Sequence, residues 1–87
     1  MSVQFNGLIS SNGYITTTSD DQLFTLPRTV YQLTIVAGAT ALEILLNDNE
    51  DAVIVPANTA RTWGVFPVTH FTVDNDSGEN VAWEGLY

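Results

Sequence analysis

Turn-forming residues interrupt this chain about every ten residues, and between them apolar and polar side chains alternate with the period of two that marks a half-buried strand. Ser10-Ser11-Asn12-Gly13, Ser19-Asp20-Asp21, Gly38-Ala39-Thr40, Asn47-Asp48-Asn49-Glu50-Asp51, Pro56-Ala57-Asn58-Thr59 and Asp74-Asn75-Asp76-Ser77-Gly78-Glu79-Asn80 are the punctuation. These residues close turns by taking positive φ or by bonding their own backbone. The intervening runs are rich in Thr, Val, Ile and aromatics, which suit a pleated surface. The pattern predicts an all-β chain: a small antiparallel β-sandwich of jelly-roll type with about eight short strands.

Particular segments sharpen that reading. Residues from Val3 to Ile9, followed by the Ser10–Gly13 turn and Tyr14–Thr18, predict a first hairpin. Leu23–Leu26 predicts a strand stopped by Pro27, since proline cannot donate to a ladder. In the next run Tyr31, Leu33, Ile35 and Ala37 form the expected core face, with Val30, Gln32, Thr34 and Val36 opposite. Thr40 to Asn47 carries good helix formers and an imitation capping box at Thr40 and Glu43. Eight residues between two turns are too few for a comfortable helix, so a strand is favoured. Ala52–Val55 is apolar enough to be buried on both faces, Arg61–Phe66 is broken at Pro67, and Val68–Val73 and Val81–Tyr87 complete the set. Residues 1–19, rich in Ser, Thr and Asn, are read as an N-terminal arm or edge hairpin, ahead of a β-sandwich domain at residues 20–87.

A domain of 87 residues is near the size at which one core barely offsets chain entropy, which favours help from a partner. Charged residues are only 14% of the chain, against about 25% in ordinary domains. Charge-poor surface with aromatics is also the composition of protein–protein contact cores. The formal net charge of -8 arises from ten acids against Arg28 and Arg61, with no lysine. That field disfavours nucleic acid, which needs clustered Lys and Arg, and disfavours an anionic membrane surface. Cysteine is absent, so the fold rests on packing or assembly. Met1-Ser2-Val3-Gln4-Phe5 has neither the basic flank nor the apolar run of a signal peptide, and synthesis in a cytoplasm, without secretion, is expected.

Chemistry-bearing residues are few. His70 is the only imidazole, nothing in Thr69-His70-Phe71 marks a nucleophile or an orienting acid, and it is read as a solvated or interface side chain on the polar side of its strand, with Val68 and Thr72. Asp74–Glu79 resembles the start of a calcium loop, yet the position of its twelfth-residue acid is Gly85. Asp48, Glu50 and Asp51 form a second acidic turn. Both turns also have the composition of plain β-turns, and no metal or cofactor is expected. Trp63, Trp83 and the tyrosines could serve as a sugar-stacking platform, although alternating aromatics more often belong to core or interface. Arg28 and Arg61 are each expected to pair with a carboxylate, across a subunit boundary where one exists. With so little catalytic inventory, the chain is expected not to be an enzyme.

Phe24-Thr25-Leu26-Pro27, Tyr31–Val36 with a small-residue turn, the run Val53-Ile54-Val55-Pro56-Ala57-Asn58-Thr59-Ala60-Arg61-Thr62-Trp63 and the run Phe66-Pro67-Val68-Thr69-His70-Phe71-Thr72-Val73 occur in that order. This arrangement resembles small virion proteins of tailed bacteriophages, in which a V-P-A-x-x-x-R-x-W/F strand precedes a P-V/I-x-x-F/L-x-V strand. The resemblance covers Phe24 to Val73 and implies a head decoration or cement protein: a homotrimer on the capsid exterior of the virion that clamps major capsid protein, with no catalytic residues. Contact residues expected on this reading are Phe5, Leu8, Ile9, Tyr14 and Ile15 in the N-terminal segment, with Trp63, Phe66, Trp83 and Tyr87 as anchors. The alternative is a carbohydrate-recognition module of a tail fibre or spike.

Overall fold

Two long antiparallel strands organise the molecule. The computed structural model describes residues 4–87, and of Val65 the backbone alone; Val3, placed above in the first expected strand, lies outside the described residues. The elements are β1 (Leu8–Ser10), β2 (Ile15–Thr16), β3 (Gln22–Ala37), β4 (Leu42–Leu46), β5 (Val53–Val55), β6 (Ala60–Val73) and β7 (Asn80–Leu86). Their order across the sheet is β1-β7-β3-β6-β4-β5, with β2 also on β7. All pairings are antiparallel. The chain is all-β and of jelly-roll type.

The two prolines explain how one ribbon serves both layers. Thr25 pairs with His70 and Val30 with Val68, so Leu26–Thr29 on β3 face only Thr69 on β6. Gln32 then pairs with Gly64, so the single Tyr31 faces Val65, Phe66 and Pro67. Each strand therefore bulges once, and each bulge holds a proline that has no ladder bond to lose. The paired ribbon bends there into two halves. In the first layer β3 from Gln32 onward lies between β7 and the Ala60–Gly64 part of β6. In the second, Gln22–Thr25 pairs with His70–Val73, which also carries β4 and, beyond it, β5. The stops predicted at Pro27 and at Phe66-Pro67 are thus corrected: the strands run through, because proline at a bulge costs nothing that the bulge had not already given up.

The bulges also correct two face assignments. Leu33, Ile35 and Ala37 are buried as expected, but Tyr31 is 48% exposed and Val30 is fully buried in its place. The irregularity between Val30 and Gln32 changes which side the alternation addresses. The other irregularity, between Thr25 and Val30, separates His70 from Val68, which is fully buried instead of sharing its polar side. The core comprises Leu26, Val30, Leu33, Ile35, Ala37, Leu42, Ile44, Leu46, Val55, Val68, Phe71, Val73 and Val81. Phe24 stacks on its cross-strand partner Phe71, centroids 5.1 Å apart. Burying side chains of this kind contributes about 1.5–3 kcal/mol each.

Within Thr40–Asn47 the chain forms the strand β4 at Leu42–Leu46, as favoured. Ala52–Val55 is not doubly buried: β5 is an edge, with Ile54 45% exposed and Val55 inside. The expected hairpin across Ser10–Gly13 does not form. β1 and β2 instead lie end to end along β7, Ile9 opposite Gly85 and Ile15 opposite Val81. Outside glycine, positive φ among the described residues falls on Asn12, Asp21, Asn47 and Asn58, one in each of four predicted turns, where Asn and Asp tolerate it best. Asn47 does more: its Oδ1 accepts from the Thr69 amide at 2.9 Å and its Nδ2 donates to the Pro67 carbonyl at 3.0 Å. One side chain thereby satisfies backbone groups beside both bulges.

Candidate interaction surface

Cross-strand partners share a face, so the register of the first layer sorts its residues into inward and outward rows. The inward rows are Ile9, Gly85, Leu33 and Trp63; then Trp83, Ile35 and Arg61; then Ile15, Val81 and Ala37. The outward rows are Leu8, Leu86, Gln32 and Gly64; then Ser10, Glu84, Thr34 and Thr62; then Ala82, Val36 and Ala60. Among these outward positions Glu84 is the one charged residue. The others are small or uncharged, and Thr34 and Thr62 tie their hydroxyls together at 2.8 Å.

The edge of this layer continues the neutrality. Residues Gln4 to Ser19 contain no Asp, Glu, Lys, Arg or His, in a chain that carries ten acids. β1 and β2 form that edge, with Leu8 56% and Tyr14 58% exposed. Eight of the ten acids collect at the turns; Glu43 lies in β4 and Glu84 in β7. Asp20 accepts from the Ser77 amide at 2.8 Å, and the Asp21 amide donates to the Asn75 carbonyl, so the Ser19–Asp21 and Asp74–Glu79 turns dock on each other. There Asp74, through its side-chain hydrogen bond and its charge, holds the Asp21 carboxyl above the usual carboxylate range.

The expected contact residues divide on this frame. Leu8, Tyr14 and Phe66 point outward, and Phe5, Ile15 and Tyr87 are half-buried. Ile9, Trp63 and Trp83 pack against the core. Leu23, Tyr31 and Ile54 are exposed apolar residues that the sequence did not single out. Nor did it single out the small outward row of Ala60, Thr62 and Gly64, although Gln32, Thr34 and Val36 had been read as lying opposite the core face.

Within the chain, neither arginine pairs with a carboxylate among the described residues, which corrects the expectation of an intramolecular pair. The Arg28 guanidinium lies 3.5 Å from the centroid of the Tyr87 ring. Arg61 lies 5.4 Å from the Trp63 ring and donates from Nη1 to the Ile54 carbonyl at 3.1 Å. Planar guanidinium stacks on aromatic faces and can satisfy a carbonyl in place of a carboxylate. His70 is half-buried and spans two partners, Thr69 Oγ1 at 2.8 Å from Nδ1 and Asp48 Oδ1 at 3.0 Å from Nε2. Among the described residues no three His, Cys, Asp or Glu side chains are grouped to hold a metal ion.

A trough of about 400 Å3 opens on the outward face, floored by Val36 and Ala82 and walled by Thr34, Glu84 and the Ser10–Gly13 loop. The loop is pinned. Ser11 Oγ donates to the Gly13 carbonyl at 2.7 Å and accepts from the Trp83 amide at 3.0 Å, while the Asn12 amide donates to Ser10 Oγ at 3.1 Å.

No family model matches the sequence, and no curated protein matches it either. Similarity appears at the level of structure. A cupin superfamily protein of Desulfitobacterium hafniense DCB-2 superposes with a TM-score of 0.52 at 7% identity, covering 99% of this chain and 83% of that one. An RmlC-like cupin protein of Desulfovibrio desulfuricans gives a TM-score of 0.47 at 12% identity, over 97% and 89% of the two chains. The first likeness shows the fold alone, and it corrects one expectation. Cupin-superfamily proteins include enzymes and metal-binding proteins. The thin catalytic inventory therefore does not exclude an enzyme on this architecture, and that exclusion is withdrawn.

Proposed function

We propose that this chain is a structural virion component, a decoration or cement protein that associates with itself as a homotrimer and docks on the coat protein of a phage head. One observation carries the reading: charge is segregated, with eight of the ten acids gathered on turns while the first layer presents a neutral edge and an outward face bearing only Glu84. Two molecules of net charge -8 repel each other; they approach at least electrostatic cost where neither carries charge. Leu8 and Tyr14 on that edge offer apolar area to bury. Binding that exists only on the assembled shell stabilises the shell by mass action.

The sugar-binding reading has less support, because Trp63 and Trp83 sit in inward rows and pack, partly buried, against the core. Heating tests the cement reading. Phage heads lacking this protein should rupture at a lower temperature than complete heads, and the purified protein should restore them; equal rupture temperatures overturn the proposal.

A further inference from the structure

Glu84 is an anomaly on the surface proposed for docking. It occupies the middle of the outward face, with Ser10 and Thr34 as its cross-strand neighbours, and no ion-pair partner for it occurs among the described residues. A carboxylate at the centre of a contact is strongly unfavourable once covered, unless the covering surface brings a cation to it. This chain is poorly equipped to bring one. It contains no lysine, Arg28 lies on the Tyr87 ring, and Arg61 is held by the Ile54 carbonyl beside Trp63. Meeting it through the same neutral edge and outward face, a second copy would present Glu84 with uncharged side chains or with its own Glu84.

We infer that the trough beside Glu84 receives a lysine or arginine side chain from a protein other than this one. The inference rests on the docking reading above and names the chemistry of the partner. The trough, at about 400 Å3, has room for a basic side chain and its flanking backbone. Val36 and Ala82 form an apolar floor for the methylene stem, and Glu84 takes the charged head at the wall. The opposite wall is preformed, since the hydrogen bonds of Ser10 and Ser11 fix the loop with Asn12 at φ 55° before any partner arrives. A preformed wall spares the complex the entropy of ordering it.

The probe is acetyl-Gly-Lys-Gly-amide, titrated at low ionic strength into the isotopically labelled protein while backbone amide resonances are followed. Its norleucine counterpart has the same stem without the charge. Saturable shifts at Asn12, Gly13, Thr34, Ala82 and Glu84 are expected with the lysine peptide and not with norleucine, and Glu84→Gln should weaken the binding at least tenfold while leaving the remaining spectrum in place. The absence of saturable shifts, equal shifts with norleucine, shifts confined to the Ser19–Asp21 and Asp74–Glu79 turns, or undiminished binding by Glu84→Gln each overturn the inference. Self-association of the wild-type protein, measured by sedimentation in parallel, separates the two failures: if it persists, only the cation site falls, and if it is absent, the docking reading falls as well.

Discussion

Arg61, on the inward side of β6, reaches across the opening between the two layers to the carbonyl of Ile54 on the edge strand β5. The bond occupies an edge acceptor that would otherwise be offered to a foreign strand. Arg61→Ala should therefore lower unfolding free energy by about 1 kcal/mol, the ordinary net worth of one hydrogen bond, and should make the protein more prone to aggregate through β5. Thermal melts and light scattering at matched concentration check both parts. An unchanged melt with unchanged scattering would mean that the contact does not brace the edge.

Gly85 lies under Val30 where the ribbon bends. A Cβ at residue 85 would stand 2.5 Å from Val30 Cγ1. Gly85→Ala is expected to destabilise by about 1–3 kcal/mol through overpacking. Combined with Val30→Ala, which removes the obstructing methyls, it should cost less than the sum of the two single changes. Denaturant midpoints of the four proteins measure the coupling, and strict additivity would refute the close approach.

Acid titration reads the two docked turns. Asp74 holds the Asp21 carboxyl above its ordinary value, first by a side-chain hydrogen bond and then by its charge, with burial and Asp20 adding to the effect. The folded state therefore binds that proton more tightly than the unfolded chain does. This contribution to stability is fully present below the ordinary carboxylate value and is lost as pH rises through the raised one. Asp21→Asn keeps a side chain that tolerates φ 49° and removes the repulsion. It should raise the melting temperature near neutral pH and flatten the pH dependence over that window. A variant with the wild-type pH profile would show that the two carboxyls are not linked.

Much of this architecture was legible because it depends on local chemistry. Asn12, Asp21, Asn47 and Asn58 each occupy a turn whose backbone they suit, and Leu33, Ile35 and Ala37 obey the alternation that buries them. What escaped were properties of pairing between distant strands. Pro27 and Phe66-Pro67 look like strand ends until β3 and β6 are set side by side, when both fall in bulges and the alternation changes phase at Tyr31. The destinations of Arg28 and Arg61 were hidden for the same reason, since Tyr87 and Ile54 become neighbours only through the sheet. The outward face was half visible in Gln32, Thr34 and Val36. Glu84 became its lone charge only once β7 was placed beside β3.

Solution mass tests the central claim, that the neutral edge and face of the first layer are where this molecule makes contact. Sedimentation equilibrium of the wild-type protein should give a trimer of the 9.5 kDa chain, and the double variant Leu8→Asp with Tyr14→Asp should sediment as a monomer with an unchanged β-sheet spectrum. A wild-type monomer at every concentration reached, or a double variant as oligomeric as the parent, would contradict the account.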